Sequence, residues 1–400
     1  MKKNIGIVVD NEFYGDIRVR HQAHILAESY NVYVLCFAYH KNKKVPTQNT
    51  LNENIVVHKI YIKRKIKNIL FGLQNTFPFY DYFWAFHIKK FINKYELVSI
   101  HVHDLYLAFA GSLAKSNKPL ILDLHENYPE AIMNYKWSQS FFKKLFARPQ
   151  RWKKIEQQLL SYPDKIVVTN EQYKNALLEK YPILKKEKFF VFENVPDIKQ
   201  FKNHQINKTI FDKKEKFIVF YFGVISERRG ILTSIKAIES LFQQYPFLHL
   251  LLIGPIDNAE RKMFSKVLRR DFVTHYPWKD ISLLPSYLAI SDICICPIVK
   301  NEQHDTCFAN KIFQYALCEK AIISSDCIPH KEFIEQNECG LIFHSEDCDD
   351  LAKKIEFLLL NAEKSKLLGT NGKRAVESKY DTQYIKNKLF IIYADICYNK

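Results

Sequence analysis

Short apolar segments alternate with segments of helical periodicity along most of this chain, and that alternation restricts the fold to a few possibilities. In the first half, mainly apolar runs predict strands at 5–10, 31–37, 55–62, 97–102, 119–124 and 165–169. The segments between them place apolar residues at helical spacing, at 16–29, 78–95, 105–115 and 152–160. Strands that are apolar along their length are typical of parallel sheets covered by helices on both faces.

The same alternation begins again after a charged segment at 199–216. Strands are predicted here at 217–222, 248–253, 272–276, 292–297, 321–326 and 340–343. Helices are predicted at 230–245, 285–289, 349–360 and 380–398. A chain of 400 residues is also too long for one hydrophobic core, which favours two domains of about 200 residues each.

The predicted fold class is therefore α/β, with two Rossmann-like domains whose parallel sheets face each other across a cleft. The domains are expected at 1–195 and 196–378, and a C-terminal helix at 379–400 is expected to pack back on the first domain. Ligands of open parallel sheets bind beyond the carboxyl ends of the strands, so functional residues are sought there.

Composition and targeting signals limit where such a protein works. No run of about 18 uncharged apolar residues occurs, so no transmembrane helix is predicted. The apolar run near the N-terminus ends at Asp10 and is better interpreted as a first strand than as a signal peptide. The nine cysteines form no Cys-x-x-Cys pair, so reduced thiols in the cytoplasm are expected.

The formal net charge of +16 calls for an explanation. Binding to nucleic acid, binding to an anionic membrane surface and a generally lysine-rich composition would each account for it. No nucleic-acid recognition motif is present, so we predict no nucleic-acid partner. The membrane and the compositional explanations stay open.

The segment 308–326, FANKIFQYALCEKAIISSD, is the most informative motif. It predicts a loop, a helix that begins near Lys311 and a buried strand at 321–326. A helix N-terminus offers unpaired backbone N–H groups and the positive end of the helix dipole, which suit a phosphate. The Lys311 amine would add a positive charge at the same place.

A second motif, FGVISERRG at 222–230, follows a predicted strand and opens a helix. Gly223 allows a tight turn, and Gly230 allows the backbone to approach a ligand. Arg228 and Arg229 would place guanidinium donors where a diphosphate could lie. A solvated, charged loop is the alternative interpretation.

Polar residues also end two strands of the first half. The motif DLHE begins at Asp123, and HVHD begins at His101. Two histidines with one residue between them could bind a metal, but no third ligand stands at a convincing spacing, and no metal is predicted.

These motifs together resemble glycosyltransferase family 4, whose members have the GT-B fold and transfer sugars from nucleotide-sugars with retention of configuration. The matching segments are 16–19, 101–104, 123–126, 223–230 and 310–315, in the family's order and each at a strand end. The resemblance therefore extends over almost the whole chain.

The resemblance implies roles for particular residues. The donor would contact Gly223, Arg228, Arg229, Asn310, Lys311, Gln314 and Glu332. Catalysis would involve His125, which would position the transferred sugar, together with Glu126 and Asp305. The acceptor would meet Asp16, Arg18 and His103, although Asp16 could instead cap a helix and Arg18 could be a surface charge.

The chain departs from the family where the chemistry is most sensitive. The family has two glutamates with seven residues between them, and Thr306 and Gln314 stand in their places. Gln314 can still hydrogen-bond a ribose, whereas Thr306 supplies no carboxylate, so Asp305, or alternatively Glu302, is the proposed substitute. Val224 replaces an arginine that follows the first glycine of the family's phosphate loop.

Basic and aromatic residues interleave in two segments of the first half, 61–86 and 137–154. This pattern suits an anionic membrane surface, and core aromatics beside solvated lysines are the alternative.

We therefore expect a glycosyltransferase that moves a sugar from a nucleotide-sugar, more often UDP- than GDP-linked, to a glycan or lipid-linked acceptor in surface polysaccharide biosynthesis. It would need no cofactor or metal, and it would work in the cytoplasm or on the inner face of the cell membrane. A degenerate subunit or scaffold of the same fold and a nucleotide-sugar epimerase are the alternatives.

Overall fold

The chain divides into two compact units in a computed structural model. The structure describes residues 2–39, 48–134, 148–196, 198, 201, 205–277, 280–380 and 382–398. Unit 1 comprises Met1–Glu193 and Ile385–Lys400, and unit 2 comprises Asn194–Tyr384.

Unit 1 contains an eight-stranded sheet in the order β3-β4-β2-β1-β5-β6-β7-β8. Its strands are β1 (Asn4–Val8), β2 (Asn31–Ala38), β3 (Gln48–Asn52), β4 (Ile55–Tyr61), β5 (Ser99–His103), β6 (Leu120–Leu124), β7 (Lys165–Val168) and β8 (Phe189–Val191). Its helices before the crossing to unit 2 are α1 (Ile17–Leu26), α2 (Arg64–Leu73), α3 (Phe79–Tyr95), α4 (Ala108–Ala114), α5 (Tyr128–Asn134), α6 (Pro149–Ser161) and α7 (Glu171–Lys180).

One strand departs from the all-parallel expectation. β3 pairs antiparallel with β4, whereas the other neighbouring strands of the sheet are parallel. The sequence of β3, QNTLN, is polar because an edge strand has a pairing partner on one side and does not need to be apolar. Apolar runs therefore predicted the inner strands and missed this one.

Unit 2 contains a six-stranded parallel sheet in the order β11-β10-β9-β12-β13-β14. Its strands are β9 (Phe217–Phe222), β10 (Leu248–Ile253), β11 (Val273–Tyr276), β12 (Ile293–Cys296), β13 (Ala321–Ser325) and β14 (Gly340–Phe343). Its helices are α8 (Ile231–Phe242), α9 (Arg261–Val267), α10 (Leu284–Ile290), α11 (Asn310–Leu317), α12 (Ile328–Gln336), α13 (Cys348–Leu360) and α14 (Ala362–Lys379).

The last helix, α15 (Thr382–Tyr398), brings the chain back to unit 1. Its Tyr393 is fully buried, and the tyrosine hydroxyl lies 2.8 Å from Nδ1 of His101 in β5. Lys388 Nζ of the same helix donates to Glu193 Oε1 at 2.6 Å. The two contacts fix α15 to residues that are far away in sequence.

Two glycines set the geometry at the carboxyl end of the unit 2 sheet. Gly230 has φ +71°, and a Cβ added there would lie 1.6 Å from the carbonyl oxygen of Pro297. Gly254 has φ +149°, and its Cβ would lie 1.9 Å from the carbonyl oxygen of Gly223. The loops that follow β9, β10 and β12 therefore pack backbone against backbone, which only glycine permits.

None of the helices in the described part of the chain is both long enough and apolar enough to cross a membrane.

Replacing Gly230 by alanine should destabilise unit 2 by at least about 2 kcal/mol, because the left-handed conformation and the contact with Pro297 both oppose a side chain. Urea unfolding measures the change. Gly72→Ala is the control, since a Cβ there meets nothing within 4 Å, and helix propensity predicts a gain of up to about 1 kcal/mol. Equal stability of Gly230→Ala and the wild type would contradict this account of the loops.

Candidate active site

The donor residues proposed from the sequence come together in unit 2. Arg228 and Arg229 lie in a short 3-10 turn, Glu227–Arg229, within the loop that follows β9. Gly230 ends this turn. Lys311 is the second residue of α11, and its amine lies 3.8 Å from the centroid of the Tyr221 ring. A Cβ at Gly223 would be 2.9 Å from the Lys311 amine, so the loop after β9 touches the start of α11.

Positive charge accumulates at this place. Loss of surrounding water lowers the pKa of the Lys311 amine from 10.5 to about 7, and the nearby Arg229 acts in the same direction. Among the described residues, no carboxylate is close enough to influence that pKa. An anion bound here would meet two kinds of cationic donor in a partly desolvated site.

The N-terminus of α11 adds backbone donors. No side chain caps this helix, and its first residue, Asn310, is exposed. The N–H of Ala309, just before the helix, donates to Nε2 of His330 at 3.0 Å, which fixes the start of α11 against α12. The N–H of Ile312 donates to the carbonyl oxygen of Ala309 at 2.9 Å, which leaves the N–H groups of Asn310 and Lys311 to meet a ligand.

Sequence analysis missed a histidine at the same place. Burial lowers the pKa of His304 to about 4, with Arg229 adding to the effect, so this imidazole is neutral. Its Nδ1 lies 2.6 Å from the carbonyl oxygen of Val299, which can only accept, so the ring proton is on Nδ1. Nε2 is a buried acceptor without a hydrogen-bond partner. Only the tertiary structure brings His304 near Arg229 and Lys311.

The other residues that were proposed for unit 2 differ from one another in burial and in hydrogen bonding. Asp305 accepts a hydrogen bond from the backbone N–H of Ile328 at 2.9 Å and so caps the start of α12. Thr306 is buried and donates to backbone carbonyls of its own turn. Gln314 is partly buried one turn into α11, and Glu332 is exposed on α12.

In unit 1 the carboxyl ends of β5 and β6 carry a buried polar cluster. Asp123 accepts from Arg18, with Nη2 2.9 Å from Oδ1, and from Gln22, with Nε2 2.6 Å from Oδ2. Arg18 also donates from Nη1 to the carbonyl oxygen of Phe192 at 2.8 Å. Burial is the largest single effect and opposes the charge on Asp123, but the Arg18 guanidinium and the neighbouring histidines together outweigh it and hold the pKa of this carboxyl well below its usual range.

Three histidines extend this cluster toward the surface. The rings of His101 and His103 stack with centroids 4.5 Å apart, and both are fully buried. His103 Nδ1 lies 2.8 Å from His125 Nε2, and the side chain of His125 is 20% exposed. His125 Nδ1 in turn lies 3.8 Å from Asp104 Oδ1. Of the three histidines, His125 is the one that reaches solvent.

The structure places Asp123 beside His101 and His103 as a third candidate metal ligand, which the sequence did not reveal. One ligand atom each of His101, His103 and Asp123 lie within 4.8 Å of one another. However, both Asp123 oxygens already accept hydrogen bonds from Arg18, and Gln22 donates to one of them. A cation there would face the guanidinium at close range, so the donor set does not suit a metal.

The acceptor residues proposed from the sequence have structural partners. Asp16 caps α1 through Oδ1, which accepts from the backbone N–H of Val19 at 3.0 Å. Arg18 is buried on Asp123 and is not a surface charge, and His103 has no exposed surface. Glu126 is partly exposed, and its backbone carbonyl accepts from the Tyr173 hydroxyl at 3.2 Å.

A second group that sequence analysis missed surrounds Asp104. Burial raises the pKa of the Asp104 carboxyl to about 6, and this residue has φ +73°. The Tyr106 hydroxyl lies 2.7 Å from Asp104 and 3.0 Å from Asp10. Asp10 also accepts from Tyr80 at 2.8 Å and pairs with Lys67 at 3.0 Å. Asp104 thus lies beside His125 as a carboxyl with a raised pKa that is still mostly ionised at pH 7.

Solved structures share this architecture over the whole chain. Sucrose-phosphate synthase from Thermosynechococcus elongatus has a TM-score of 0.77 at 18% identity, and the match covers 100% of both chains. HepE from Anabaena, solved with UDP and glucose, has a TM-score of 0.71 at 15% identity, with 98% of this chain and 99% of that chain covered. The fold is therefore the GT-B class of glycosyltransferases, as the sequence predicted.

The family follows from models of conserved sequence. The model described as glycosyl transferases group 1 matches residues 171–375, about half of the chain. The model described as glycosyltransferase family 4 matches residues 17–200. The chain belongs to this glycosyltransferase family, which confirms the resemblance drawn from its motifs and places it among the transferases.

Two curated relatives match part of the chain. Spore coat protein SA of Bacillus subtilis is 22% identical over 182 residues, which cover 43% of this chain and 47% of the relative. The capsular polysaccharide biosynthesis glycosyltransferase CapM of Staphylococcus aureus is 24% identical over 177 residues, which cover 43% of this chain and 44% of the relative. The match thus spans less than half the length of each relative.

The position of Lys311 predicts a pH-dependent stability. Because its pKa is about 7 in the folded chain and 10.5 ordinarily, the unfolded chain binds more protons between these pH values. The cost of the desolvated ammonium is therefore fully present below pH 7 and falls as the pH rises toward 10.5. Lys311→Met should be more stable than the wild type at pH 6, and this advantage should shrink by pH 9.5.

Urea unfolding at several pH values measures this difference. Lys236→Met, at an exposed position of α8, is the matched control and should differ from the wild type by the same amount at every pH. A constant difference for Lys311→Met as well would show that the Lys311 amine is not desolvated.

Proposed function

We propose that this chain is a retaining glycosyltransferase that moves a sugar from a nucleotide-sugar, with UDP preferred to GDP, to a glycan or lipid-linked acceptor in surface polysaccharide biosynthesis. The observation that carries the proposal is the meeting of Arg229 and the desolvated amine of Lys311 at the start of α11, where no carboxylate of the described part of the chain contributes to the pKa of the lysine. CapM, a partial relative, is named for capsular polysaccharide biosynthesis, and HepE was solved with UDP and glucose.

The cationic cluster suits the departing nucleoside diphosphate. Breaking the bond between the sugar and the diphosphate places growing negative charge on the leaving oxygen. Arg229, Lys311 and the N–H groups of α11 would stabilise that charge more in the transition state than in the bound donor. Binding the diphosphate would also favour the charged form of Lys311, because the anion supplies the missing partner.

The remaining predicted residues would orient the two substrates. Gln314 and Glu332 would hydrogen-bond the nucleoside, and Asp305 and Glu126 would contact the transferred sugar. His125 would position the sugar at its reacting carbon. Since no enzymatic nucleophile is evident in the cluster, we propose attack by the acceptor on the face from which the diphosphate leaves. No metal or other cofactor is assigned a role.

The acceptor residues would act mainly by shaping their surroundings. Asp16 holds the first turn of α1, and Arg18 holds Asp123 between two elements of unit 1. We propose that these two residues form the wall of the acceptor region and that His103 acts through His125.

Arg229→Ala should weaken the binding of UDP about 10- to 100-fold, because it removes a charge-assisted hydrogen bond to the diphosphate. Calorimetry with UDP, GDP and CDP measures the effect and ranks the bases. Arg270→Ala is the control, since this exposed arginine pairs with Glu239 at 3.1 Å away from the cluster. Absence of binding by the wild type to any of the three nucleotides would overturn the enzyme proposal.

Absence of nucleotide binding would favour the alternative of a degenerate subunit or scaffold, which one structural observation supports. Thr306, at the position of a family glutamate, is buried with its hydroxyl engaged by backbone carbonyls, and Asp305 is engaged in capping α12. The Thr306 hydroxyl is therefore not available to a sugar, and Asp305 would have only its Oδ2 oxygen left to contact one. Turnover of a bound nucleotide-sugar without any acceptor, giving a second sugar isomer, would instead identify an epimerase.

We also propose that unit 1 rests on an anionic membrane. None of the residues of α2 is buried, and Ile66 and Ile69 of this helix are 47% and 53% exposed. Exposed aromatic residues continue the surface: Phe77, Phe79, Tyr82 and Phe86. Exposed cations flank them: Lys63, Arg64, Lys65, Lys89 and Lys90. An apolar surface with a basic border suits acidic lipid headgroups. The second basic and aromatic segment, at 137–154, lies mostly outside the described residues.

The protein should co-sediment with phosphatidylglycerol vesicles at low salt, and binding should fall as salt screens the charges. Ile66→Ser combined with Ile69→Ser should weaken binding at least about tenfold, because less apolar surface is buried in the lipid. Leu360→Ser is the control, at a residue of unit 2 that is 64% exposed. Equal binding to phosphatidylcholine vesicles, or unchanged binding of the double variant, would rule the surface out.

A further inference from the structure

The contact between two histidine nitrogens in unit 1 can hold one proton. His103 Nδ1 and His125 Nε2 are 2.8 Å apart, so one nitrogen donates and the other accepts. Complete burial lowers the pKa of His103 well below its ordinary value, so this ring is neutral and carries one proton. The position of that proton decides which nitrogen of His125 carries a hydrogen.

Two observations place the proton of His103 on Nδ1. Its other nitrogen, Nε2, is buried and has no hydrogen-bond partner. An N–H there would be an orphaned buried donor, which proteins avoid more strictly than an unused acceptor. In addition, Asp123 Oδ2 lies 3.9 Å from Nδ1, and this negative charge favours a proton on the nearer nitrogen.

The carboxylate that directs the proton is itself held in place. Both oxygens of Asp123 accept from Nε of Arg18 at 3.2 Å, and Oδ2 also accepts from Gln22. Asp123 is fully buried, so its charge acts on His103 through a medium of low polarity. The preference for the Nδ1 proton is thus fixed by α1 and β6 rather than by solvent.

His125 must then accept at Nε2 and carry its own proton on Nδ1, which lies 3.8 Å from Asp104 Oδ1. We propose that His103 is a positioning residue that fixes Nε2 of His125 as an acceptor and so leaves an N–H donor at Nδ1 on the solvent-reaching side of His125. This inference rests on the role of His125 in the proposed transfer.

This arrangement would give His125 and Asp104 different roles in the transfer. A neutral Nδ1–H group can donate to a sugar oxygen, but His125 has no free lone pair with which to accept the proton of the acceptor hydroxyl. His125 would therefore orient the sugar and not act as a general base. Asp104, adjacent to Nδ1, is the group that the arrangement leaves able to take up a proton.

The test determines the tautomers of His103 and His125 by NMR in the full chain without substrate. The protein is labelled with ¹⁵N at histidine, and long-range ¹H–¹⁵N spectra are recorded between pH 6.5 and 8, with His125 assigned from the spectrum of His125→Gln. We expect the Nδ1–H tautomer for both His103 and His125. An Nε2–H tautomer or an imidazolium at His125 would overturn the proposal, and this reading depends on no variant of His103.

His103→Phe then removes the nitrogen contact while keeping a ring beside His101. We expect His125 to lose its single tautomer and kcat to fall at least about tenfold, while UDP binding in unit 2 changes less than about twofold. Tyr393→Phe is the matched control, because it removes a buried hydroxyl from His101 and leaves the contact with His125 intact. An unchanged His125 spectrum in folded His103→Phe would contradict the positioning role.

The two proposals fail in different ways. If the spectra show the expected tautomers but the wild type binds no nucleotide and transfers no sugar, the proposed function fails and the tautomer assignment stands. If transfer occurs while His125 carries its proton on Nε2, the positioning proposal fails and the function stands.

Discussion

The buried ion pair between Asp123 and Arg18 determines the arrangement of polar groups in unit 1. Arg18 lies on α1, Asp123 ends β6, and the same guanidinium donates to the backbone after β8. Losing one partner of such a pair leaves an uncompensated buried charge, which typically costs about 3–5 kcal/mol. Because the Arg18 guanidinium compensates the charge of Asp123, burial can hold the pKa values of His101 and His103 below the ordinary value, although the carboxylate by itself acts in the opposite direction.

The polar clusters of the two units follow opposite principles. In unit 1 the charges are paired, so the cluster is a rigid support from which His125 reaches solvent. In unit 2 Lys311 and the arginines of the preceding loop gather without a carboxylate that influences the lysine, so the site is incomplete until an anion binds. This difference is the reason why we propose an anionic nucleotide-sugar as the ligand of unit 2 and a role in orienting a sugar for the residues of unit 1.

The sequence predicted much of both sheets and the class of enzyme, because apolar strands and strand-end motifs are local signals. It failed where a signal depends on distant partners. β3 is a polar edge strand, and Asp123 became a neighbour of His101 and His103 only through strand pairing. Arg18 resembled a surface residue, since nothing near it in sequence announces Asp123, more than 100 positions away.

The sequence by itself determined the alternation of strands and helices, the glycines that allow close loops and the family to which the chain belongs. Those properties follow from residue types at short spacing. Only the tertiary structure decided which nitrogen of His103 meets His125, that His304 joins the cationic cluster and that Asp305 caps a helix. Burial and charge act through space, so the protonation and the partners of these groups exist only after the strand ends have been brought together.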